Sequence, residues 1–366
     1  MIDNFVFNKL KFHKNAIKKN CTSKQWDTYK KGSNMYELIF TSGYRYPSLS
    51  VYSPVSRSYF KHWEILHDFE AEFTFMKNKH VNAAFLAEGP GGFIEAFVRK
   101  RSVFSTKTST DILHGVTLIS SNRMVPSWKL SKSLLQENNI KLLYGVDFTG
   151  TMYNINNIID YVDKIGSGQC DYVTADGGFD FGDEYNQELM SLRLVLCEVF
   201  TCMLIQKRGG AFVLKIYDIN LPETKAILAI LQQSYTTISF VKPCTSRAAN
   251  SEKYIVCNDF IECKYINVLE QCVRRGTLLT LSAAVSCSMD NTFDMMVFND
   301  MVSFYNIQFM MKQIIHINTT LLKRDSVSRE DIKKQLECAL KWCHKYNVKI
   351  NPVNIKYYKH ILEYKK

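Results

Sequence analysis

The chain has 366 residues, of which 46% are hydrophobic, 22% charged and 13% aromatic, an ordinary composition for a soluble globular protein with room for more than one domain. The formal net charge of +11 favours a polyanionic partner such as nucleic acid, although a solvated lysine-rich surface would give the same sum. The eleven cysteines include no Cys-x-x-Cys pair, so we expect free thiols in a reducing compartment rather than disulfides or a metal site.

Membrane association is not expected from the sequence. Residues 1–20 contain five lysines in place of the apolar core of a signal peptide. The longest apolar run, residues 190–205, is interrupted by Arg193 and Glu198 and is too short to span a bilayer. We therefore expect an intracellular, cytoplasmic protein with no membrane partner.

Three segments of the chain differ in their patterns. Residues 1–55 are basic with few regular patterns and are interpreted as an N-terminal arm. Residues 56–260 begin with a helical pattern and continue with alternating strand-like and helical runs, which predicts an α/β domain whose mostly parallel sheet has helices on both faces. Residues 261–366 show helical patterns only, with Ser328 as the predicted N-cap of one helix, and are expected to form a helical C-terminal extension.

Seven strands are predicted in the central segment, with the last two close enough in sequence to pair as an antiparallel hairpin. The strand-like runs are residues 81–87, 114–119, 140–144, 170–175, 211–216, 236–241 and 253–257. The clearest helical runs between them are residues 92–100, 187–207 and 222–234.

A glycine-rich turn follows the first predicted strand, where open α/β sheets bind their ligands. It consists of Glu88, Gly89, Pro90, Gly91, Gly92 and Phe93. Ile94 stands where a dinucleotide fingerprint requires its third glycine, and no Gly-Lys-Ser/Thr follows as in a P-loop. The turn is therefore interpreted as a site for an adenosyl donor, with a plain strand-to-helix turn as the alternative. Asp147, after the third strand, is a candidate acceptor for an adenine amino group or else a solvated loop carboxylate.

Four polar residues, Lys61, Asp176, Lys215 and Glu252, combine two lysines with two carboxylates. Methyl transfer to a sugar hydroxyl needs an aligned oxygen and a group that removes or shares its proton. A lysine can do this as a base when neutral, or by stabilising the alkoxide when charged, and burial or a second ammonium lowers its pKa. Taken singly, each of the four residues could equally belong to a surface ion pair.

At these residues the chain resembles the FtsJ-like family of RNA 2′-O-methyltransferases, whose signature is a Lys-Asp-Lys-Glu tetrad. The arrangement is most similar to the mRNA cap-specific enzymes of eukaryotes and of large cytoplasmic DNA viruses, over about residues 56–258. The motifs that carry the resemblance are Ser56-Arg57-Ser58-Tyr59-Phe60-Lys61, Ala87 to Phe93, Thr174-Ala175-Asp176-Gly177-Gly178-Phe179, Gly209-Gly210 ahead of Lys215, and Thr245-Ser246-Arg247 ahead of Asn250-Ser251-Glu252.

The resemblance implies a Rossmann-like methyltransferase fold with S-adenosylmethionine as the cofactor. The cofactor would be bound by the glycine turn, Asp147 and Asp176. Lys215 would be the central base or alkoxide stabiliser, Lys61 and Glu252 would adjust its pKa and orient the 2′-hydroxyl, and Asp176 would order the pair beside the methyl group. Residues 120–122 are Ser-Ser-Asn where many such folds carry an acid for the ribose hydroxyls, which leaves that contact unassigned.

The loop before Glu252 contains the candidate RNA contacts. Arg247 would bind a phosphate, assisted by Ser246 and Asn250, because a bidentate arginine positions RNA without reading its sequence. The alternative is that Arg247 only braces the loop.

The leading functional prediction is an S-adenosylmethionine-dependent mRNA cap-specific 2′-O-methyltransferase that acts on the first transcribed nucleotide. Its expected partners are capped mRNA and other capping or transcription proteins, and a viral source would place it in a virion or viral factory. The alternatives are a 2′-O-methyltransferase of ribosomal or transfer RNA, and a catalytically inactive RNA-binding scaffold of a capping complex.

Overall fold

The chain is organised around a seven-stranded sheet. The computed structural model describes residues 2–42, 44–104, 110–122, 125–178, 186–278, 281–288 and 294–363. The strands are β1 Asn82–Leu86, β2 Ile112–Val116, β3 Ile140–Leu143, β4 Cys170–Ala175, β5 Gln206–Ile216, β6 Tyr235–Val241 and β7 Lys253–Phe260. They lie in the order β3-β2-β1-β4-β5-β7-β6, and only the pairs formed by β7 are antiparallel. The predicted mostly parallel sheet and its closing hairpin are confirmed.

β2 and β5 differ most in extent from the prediction. β2 ends at Val116 rather than at residue 119 because the next residues bond to loops instead of to the sheet. The Thr117 hydroxyl accepts from the amide of Gly89 at 3.0 Å, and the amide of Ile119 donates to the carbonyl of Thr149 at 2.7 Å. β5 begins at Gln206, ahead of the predicted residue 211, and its first residue pairs with β4 across a register shift.

Thirteen α-helices accompany the sheet within the described ranges. They are α1 Ile2–Asn20, α2 Ser23–Ser33, α3 Ser58–Asp68, α4 Gly92–Phe104, α5 Lys132–Glu137, α6 Ile155–Ile165, α7 Gln187–Ile205, α8 Pro222–Ser234, α9 Ile266–Arg275, α10 Leu281–Ser288, α11 Met295–Lys323, α12 Arg329–Lys345 and α13 Pro352–Glu363. Local sequence explains several of their ends. Pro222 is the first residue of α8, and Ser328 forms a capping box with Asp331 at the start of α12, which confirms the predicted N-cap.

Two apolar clusters cover the two faces of the sheet. One contains β4 and β5 residues with side chains of α6, α7 and α8, such as Ile158, Leu196 and Leu228. The other contains residues of α3, α4 and α12, such as Phe60 and Trp342. Every residue of β4 is buried, as expected for a parallel strand covered on both faces. The predicted layer architecture is therefore confirmed.

The first fifty-five residues contain two long helices where the sequence showed few regular patterns. α1 and α2 bury Val6, Leu10 and Trp26 in a third apolar cluster, which they share with residues of α11. The partner of this apolar face lies some three hundred positions later in the chain, so it could not be recognised from local periodicity. The segment boundaries at residues 55 and 260 stay predictions.

The described residues include neither a helix long and apolar enough to cross a bilayer nor a group of three or more acidic, histidine or cysteine side chains placed to bind a metal ion.

Candidate active site

The carboxyl ends of the central strands bring the predicted residues to one edge of the sheet. Asp176 directly follows β4, and Lys215 is the penultimate residue of β5. Glu252 directly precedes β7, which runs antiparallel to β5, so it arrives at the same edge. Lys61 comes from α3, which packs on one face of the sheet. Each of the four positions therefore depends on a regular element rather than on a mobile loop.

The four side chains form two ion pairs. The ammonium of Lys61 lies 2.7 Å from Oε1 of Glu252, and that of Lys215 lies 3.1 Å from Oδ1 of Asp176. Lys215 also donates to the backbone carbonyl of Asp176 at 2.6 Å. The charges of Lys215 and Glu252 act on each other, so the two pairs form one electrostatic group. The structure thus brings all four sequence-predicted residues together.

The ion pairs hold Lys215 in its charged form. Burial alone lowers the pKa of Lys215, but the carboxylate of Asp176, followed by Tyr217 and Glu252, outweighs it and raises that pKa above its ordinary value. For Glu252, burial raises the pKa, and the ammonium groups of Lys61, Lys215 and Lys242 together outweigh it, so that the net shift is downward. The lysine pKa is therefore raised by the carboxylates, opposite to the lowered pKa expected from the sequence.

Neighbouring hydroxyls orient both carboxylates. The Tyr254 hydroxyl donates to Oδ1 of Asp176 at 2.9 Å, and the Ser246 hydroxyl donates to Oε1 of Glu252 at 2.8 Å. Tyr254 stands opposite Lys215 in the β5–β7 register. It follows Glu252 by two residues in the sequence, but its position beside Asp176 depends on a strand pairing that the local sequence does not specify.

The Glu88 carboxylate caps the N-terminus of α4. Its Oε1 accepts from the amides of Phe93 and Ile94 at 2.6 and 3.3 Å. Its Oε2 is buried and has no hydrogen-bond partner among the described residues. Burial, and secondarily the charge of Asp176, raises the pKa of Glu88 well above its ordinary value. A buried carboxyl oxygen of this kind is suited to a polar group of a bound ligand.

The other residues of the glycine turn have different surroundings. A Cβ on Gly91 would meet Leu130, and one on Gly92 would meet the hydroxyls of Ser56 and Ser58, so these glycines allow close packing of the protein on itself. The Phe93 ring stacks on His62 at 4.3 Å in the core. Among the predicted cofactor-binding residues only Gly89 lines the adjacent cavity, while Pro90, like Gly91, Gly92 and Phe93, shapes the turn behind it.

A cavity of about 280 Å³ lies between this turn and the tetrad. Its wall is largely apolar, with Leu118, Val125, Pro126 and Tyr153 among its lining residues. At one end it reaches Gly178, where a Cβ would lie 2.9 Å from the Lys215 ammonium. Sequence reasoning did not identify these lining residues, because apolar loop residues after β2 and β3 have no motif that separates them from core positions.

Asp147 lies on an exposed loop outside the lining of this cavity. Its carboxylate accepts from Thr149, Asn154 and Asn157 at 2.7 to 3.0 Å, and these hydrogen bonds lower its pKa. It thereby organises the turn between β3 and α6, and its assignment to the adenine amino group stays a prediction.

The predicted RNA contacts are engaged in bonds within the protein. Arg247 donates to both carboxylate oxygens of Glu37, at 2.8 and 3.0 Å, which is the bracing role left open as an alternative. The Ser246 hydroxyl binds Glu252, as described above. The backbone carbonyl of Asn250 accepts from Lys242 at 2.7 Å. Direct RNA binding by these three residues stays a prediction. Phe179, in the second half of the Asp176 motif, falls outside the described residues.

Glu198 is a buried carboxyl that the sequence analysis did not assign to the site. It belongs to α7, and its Oε1 lies without a hydrogen-bond partner in the described structure. Burial raises its pKa to about 8, with the charge of Lys215 lowering it and that of Asp176 raising it by smaller amounts. The only sequence sign was a charged residue within an otherwise apolar helix.

This shift predicts a pH-dependent stability. Because the folded pKa lies above the unfolded one, the folded protein holds the Glu198 proton more tightly, and the resulting stability is complete below the unfolded pKa and is lost as the pH rises towards 8. The Glu198→Gln variant should therefore be more stable than the wild type at pH 8 by about 1–3 kcal/mol, and the difference should shrink at pH 5. Urea unfolding at both pH values measures this, with the exposed Glu330→Gln on α12 as the control. An equal difference at both pH values would contradict it.

The fold and the site together define a class of protein. A doubly covered parallel sheet with a nucleoside-sized cavity at its carboxyl edge, beside paired lysines and carboxylates, is typical of α/β enzymes that transfer a group from a nucleoside cofactor. Comparison with known sequences makes this specific. The model of the family described as FtsJ-like methyltransferase matches residues 54–260, and the chain belongs to this family.

The names of the curated relatives are more specific than the description of the family. Cap-specific mRNA (nucleoside-2′-O-)-methyltransferase 1 of Dictyostelium discoideum is 38% identical over 148 residues, which cover 39% of this chain and 19% of that protein. The corresponding protein 1A of Caenorhabditis briggsae is 29% identical over 265 residues, covering 70% of this chain and 29% of that one. A protein named the inactive form 1B in the same organism is 29% identical over 267 residues, covering 70% and 30%. The matched region is less than a third of the length of each relative.

The site fits S-adenosylmethionine, the cofactor expected for this family. The apolar wall and Tyr153 suit an adenine ring, Gly89 lets the backbone of the turn lie against the ligand, and the Gly178 end leads to Lys215.

Proposed function

We propose that the protein is an mRNA cap-specific (nucleoside-2′-O-)-methyltransferase that methylates the ribose 2′-hydroxyl of the first transcribed nucleotide. The observation that carries this proposal is the pair of lysine–carboxylate contacts at the end of the cofactor-sized cavity. The FtsJ-like family and the names of the curated relatives support it.

The cofactor, S-adenosylmethionine, supplies a methyl group activated by a sulfonium. The protein has to align the 2′-oxygen with that methyl group and to assist the loss of the hydroxyl proton. In the reaction an O–C bond forms while an S–C bond breaks. The Lys215 ammonium, held in its charged form by Asp176, is placed to stabilise negative charge that develops on the oxygen.

Lys61 and Glu252 complete this arrangement. The pair sets the charge around Lys215, and the Ser246 hydroxyl fixes one oxygen of Glu252, so that the second lysine stays in place. A ribose bound at the tetrad would meet the ammonium groups of Lys61 and Lys215, whose carboxylate counter-ions are already positioned. Such preorganised charge requires little rearrangement when the oxygen becomes negative.

Location and further partners belong to the proposal as well. A cytoplasmic location is consistent with the ten cysteines whose side chains the structure describes, all of which are free thiols. The substrate would be capped mRNA, and association with other capping or transcription proteins is expected from the family resemblance.

The test is methyl transfer from radiolabelled S-adenosylmethionine to short RNAs that carry an N7-methylated cap, an unmethylated cap or no cap. We expect label in the 2′-O position of the first nucleotide of capped RNA, and its loss in Lys215→Ala. Equal labelling of uncapped RNA would instead favour an enzyme of ribosomal or transfer RNA.

The inactive-scaffold alternative remains distinguishable in the same assay. One relative is named inactive, so membership in the family does not by itself establish catalysis. In this chain the four tetrad positions are occupied and paired, which favours an active enzyme. RNA binding without labelling of any of the three RNAs would favour the scaffold.

A further inference from the structure

A second cavity, of about 190 Å³, lies beside the tetrad and outside the cofactor cavity. It is formed where α2, the loop between β6 and β7, and α11 meet. We call it the basic cleft, because its basic lining residues come from all three of these elements and no carboxylate is among the described residues that line it. The basic residues are Lys30 from α2, Lys242 and Arg247 from the loop, and Lys312 and His316 from α11.

The cations of the basic cleft differ in how far they are neutralised. Arg247 is paired with Glu37, and the Lys30 ammonium lies 3.9 Å from Asp27. The Lys242 ammonium donates to the backbone carbonyls of Asn250 and Glu252, at 2.7 and 2.5 Å, and these are neutral partners. Within the described part of the chain, neither Lys242 nor the exposed Lys312 has a carboxylate at ion-pair distance. Positive charge is therefore left uncompensated on this side of the tetrad.

The electrostatics of the individual groups agree with this. Burial, with the charges of Lys253 and Lys61, lowers the pKa of Lys242 to about 7 in spite of the opposing effect of Glu252. Burial and the charge of Lys242 also lower the pKa of His316. Both groups would gain a favourable counter-charge from an anion in the cleft.

The basic cleft is connected directly to the catalytic residues. Ser246, in its lining, donates to the carboxylate of Glu252, and Lys242 binds the backbone of the same residue. A ligand in the cleft is therefore one side chain away from Glu252 and its partner Lys61. A nucleotide whose sugar reaches the tetrad would have its own or a neighbouring phosphate within reach of this cleft.

Fixed contacts hold the walls of the cleft together. The Gln313 amide donates to the carbonyl of Ala249 at 3.0 Å, which attaches α11 to the β6–β7 loop. The hydroxyls of Ser33 and Thr320 lie 2.6 Å apart and join α2 to α11. Both α2 and α11 lie outside the residues matched by the family model, 54–260. The cleft is therefore a joint product of the family domain and of the two flanking segments.

We propose that the basic cleft binds phosphate groups of the RNA substrate, with Lys242 and Lys312 as the principal cations, and that α2 and α11 thereby contribute to RNA binding. This inference rests on the proposed function for the identity of the ligand. Lysine contacts to phosphate position a nucleic acid without reading its sequence. The phosphate could belong to the triphosphate bridge of a cap or to the phosphodiester chain, and the two sources share this chemistry.

The test reverses a single charge in the cleft and leaves the catalytic tetrad intact. Lys312→Glu is the test variant, because Lys312 is exposed and its replacement should not affect folding. Lys333→Glu on α12 is the matched control, since Lys333 is also exposed and lies outside the lining of the cleft. Binding is measured by fluorescence anisotropy at several salt concentrations with a capped oligoribonucleotide, the same oligoribonucleotide with a 5′-hydroxyl, and the cap dinucleotide alone.

We expect Lys312→Glu to weaken RNA binding by about tenfold and to reduce the slope of log K against log salt by about 1. The loss in methyl transfer should be a higher KM for RNA, and Lys333→Glu should bind like the wild type. Weaker binding of both oligoribonucleotides would assign the phosphodiester chain, and weaker binding confined to the capped RNA and the cap dinucleotide would assign the triphosphate bridge.

Unchanged RNA affinity and salt slope in Lys312→Glu would overturn the inference, as would an equal loss in the control. The outcome is separable from that of the proposed function. If the wild type binds RNA but methylates none of the RNAs, the proposed function fails, while the comparison of the two variants still decides whether the cleft binds phosphate.

Discussion

Replacement of Lys215 by methionine is expected to lower the rate constant of methyl transfer by about 10³-fold or more, the loss typical when a base or a charge-stabilising donor is removed from a preorganised site. Methionine keeps an unbranched side chain of similar length, so the change removes mainly the ammonium that contacts Asp176 at 3.1 Å. The measurement is single-turnover transfer from radiolabelled S-adenosylmethionine to capped RNA at saturating concentrations of both.

The matched control is Lys207→Met. Lys207 lies in the first half of the same strand, away from the tetrad. Its side chain is 54% exposed and pairs with Asp171 of β4. This variant should retain wild-type activity. Calorimetric binding of the cofactor to Lys215→Met should stay close to wild type, which separates a chemical defect from a folding defect. More than about a tenth of wild-type activity in Lys215→Met would exclude the assigned role.

The second large effect concerns stability. Asp218 follows β5 and is the counter-ion of two buried lysines, with Lys14 of α1 at 2.8 Å and Lys253 of β7 at 3.9 Å. All three side chains are at most 5% exposed. Asp218→Asn would leave two buried ammonium groups without a carboxylate, and we expect the free energy of unfolding at pH 7 to fall by about 3–5 kcal/mol. Urea unfolding followed by circular dichroism measures it.

The direction of the pKa shift of Asp218 determines how the stability difference between wild type and variant changes with pH. Burial raises the pKa of Asp218, but Lys14 and Lys253 outweigh it and the net shift is downward. The carboxylate therefore contributes stability at neutral pH that is lost as the pH falls through its folded pKa, so wild type and variant should converge in acid. Asp160→Asn removes an exposed pair with Lys164 on α6 and should cost at most about 0.5 kcal/mol. A loss of that size in Asp218→Asn would show that the buried lysines do not need the carboxylate.

The Lys14–Asp218 pair also bears on the role of the N-terminal segment. Its two residues are separated by 204 positions, and the pair joins α1 to the strand that carries Lys215. Together with the apolar contacts between α1 and α11, it makes the first helix part of the structure that supports the site. The description of residues 1–55 as an arm rested on composition, which reports charge but not the surface on which a segment packs.

Local patterns were sufficient for the central sheet, and the motifs shared with the FtsJ-like family supplied the prediction of the tetrad. The central strands β1 and β4 are short apolar runs, and their burial makes such runs recognisable within about six residues. Lys61, Asp176, Lys215 and Glu252 were identified because each lies in a motif with its own neighbours, and strand ends of a parallel sheet converge on one edge whatever the rest of the chain does.

Some features of the site could not be derived from the sequence because they depend on side-chain orientation. Phe93 belongs to the glycine turn, yet its ring points into the core against His62, and Asp147 bonds to its own loop. The direction of the Lys215 pKa shift was also reversed, since the sum of burial and opposing charges depends on distances that no motif contains.

The sequence by itself determined the class of fold, because the periodicities that indicate it lie within one segment, and its resemblance to the FtsJ-like family predicted the four residues of the tetrad. Only the tertiary structure decided that Glu198 and Tyr254 stand beside the tetrad, that α1 is anchored through Asp218, and that α2, α11 and the β6–β7 loop enclose a basic cleft. Those relations join different elements, separated by 78 residues for Tyr254 and Asp176 and by 204 for Lys14 and Asp218. The physical reason is that such contacts depend on complementary surfaces and charges, which no local pattern contains.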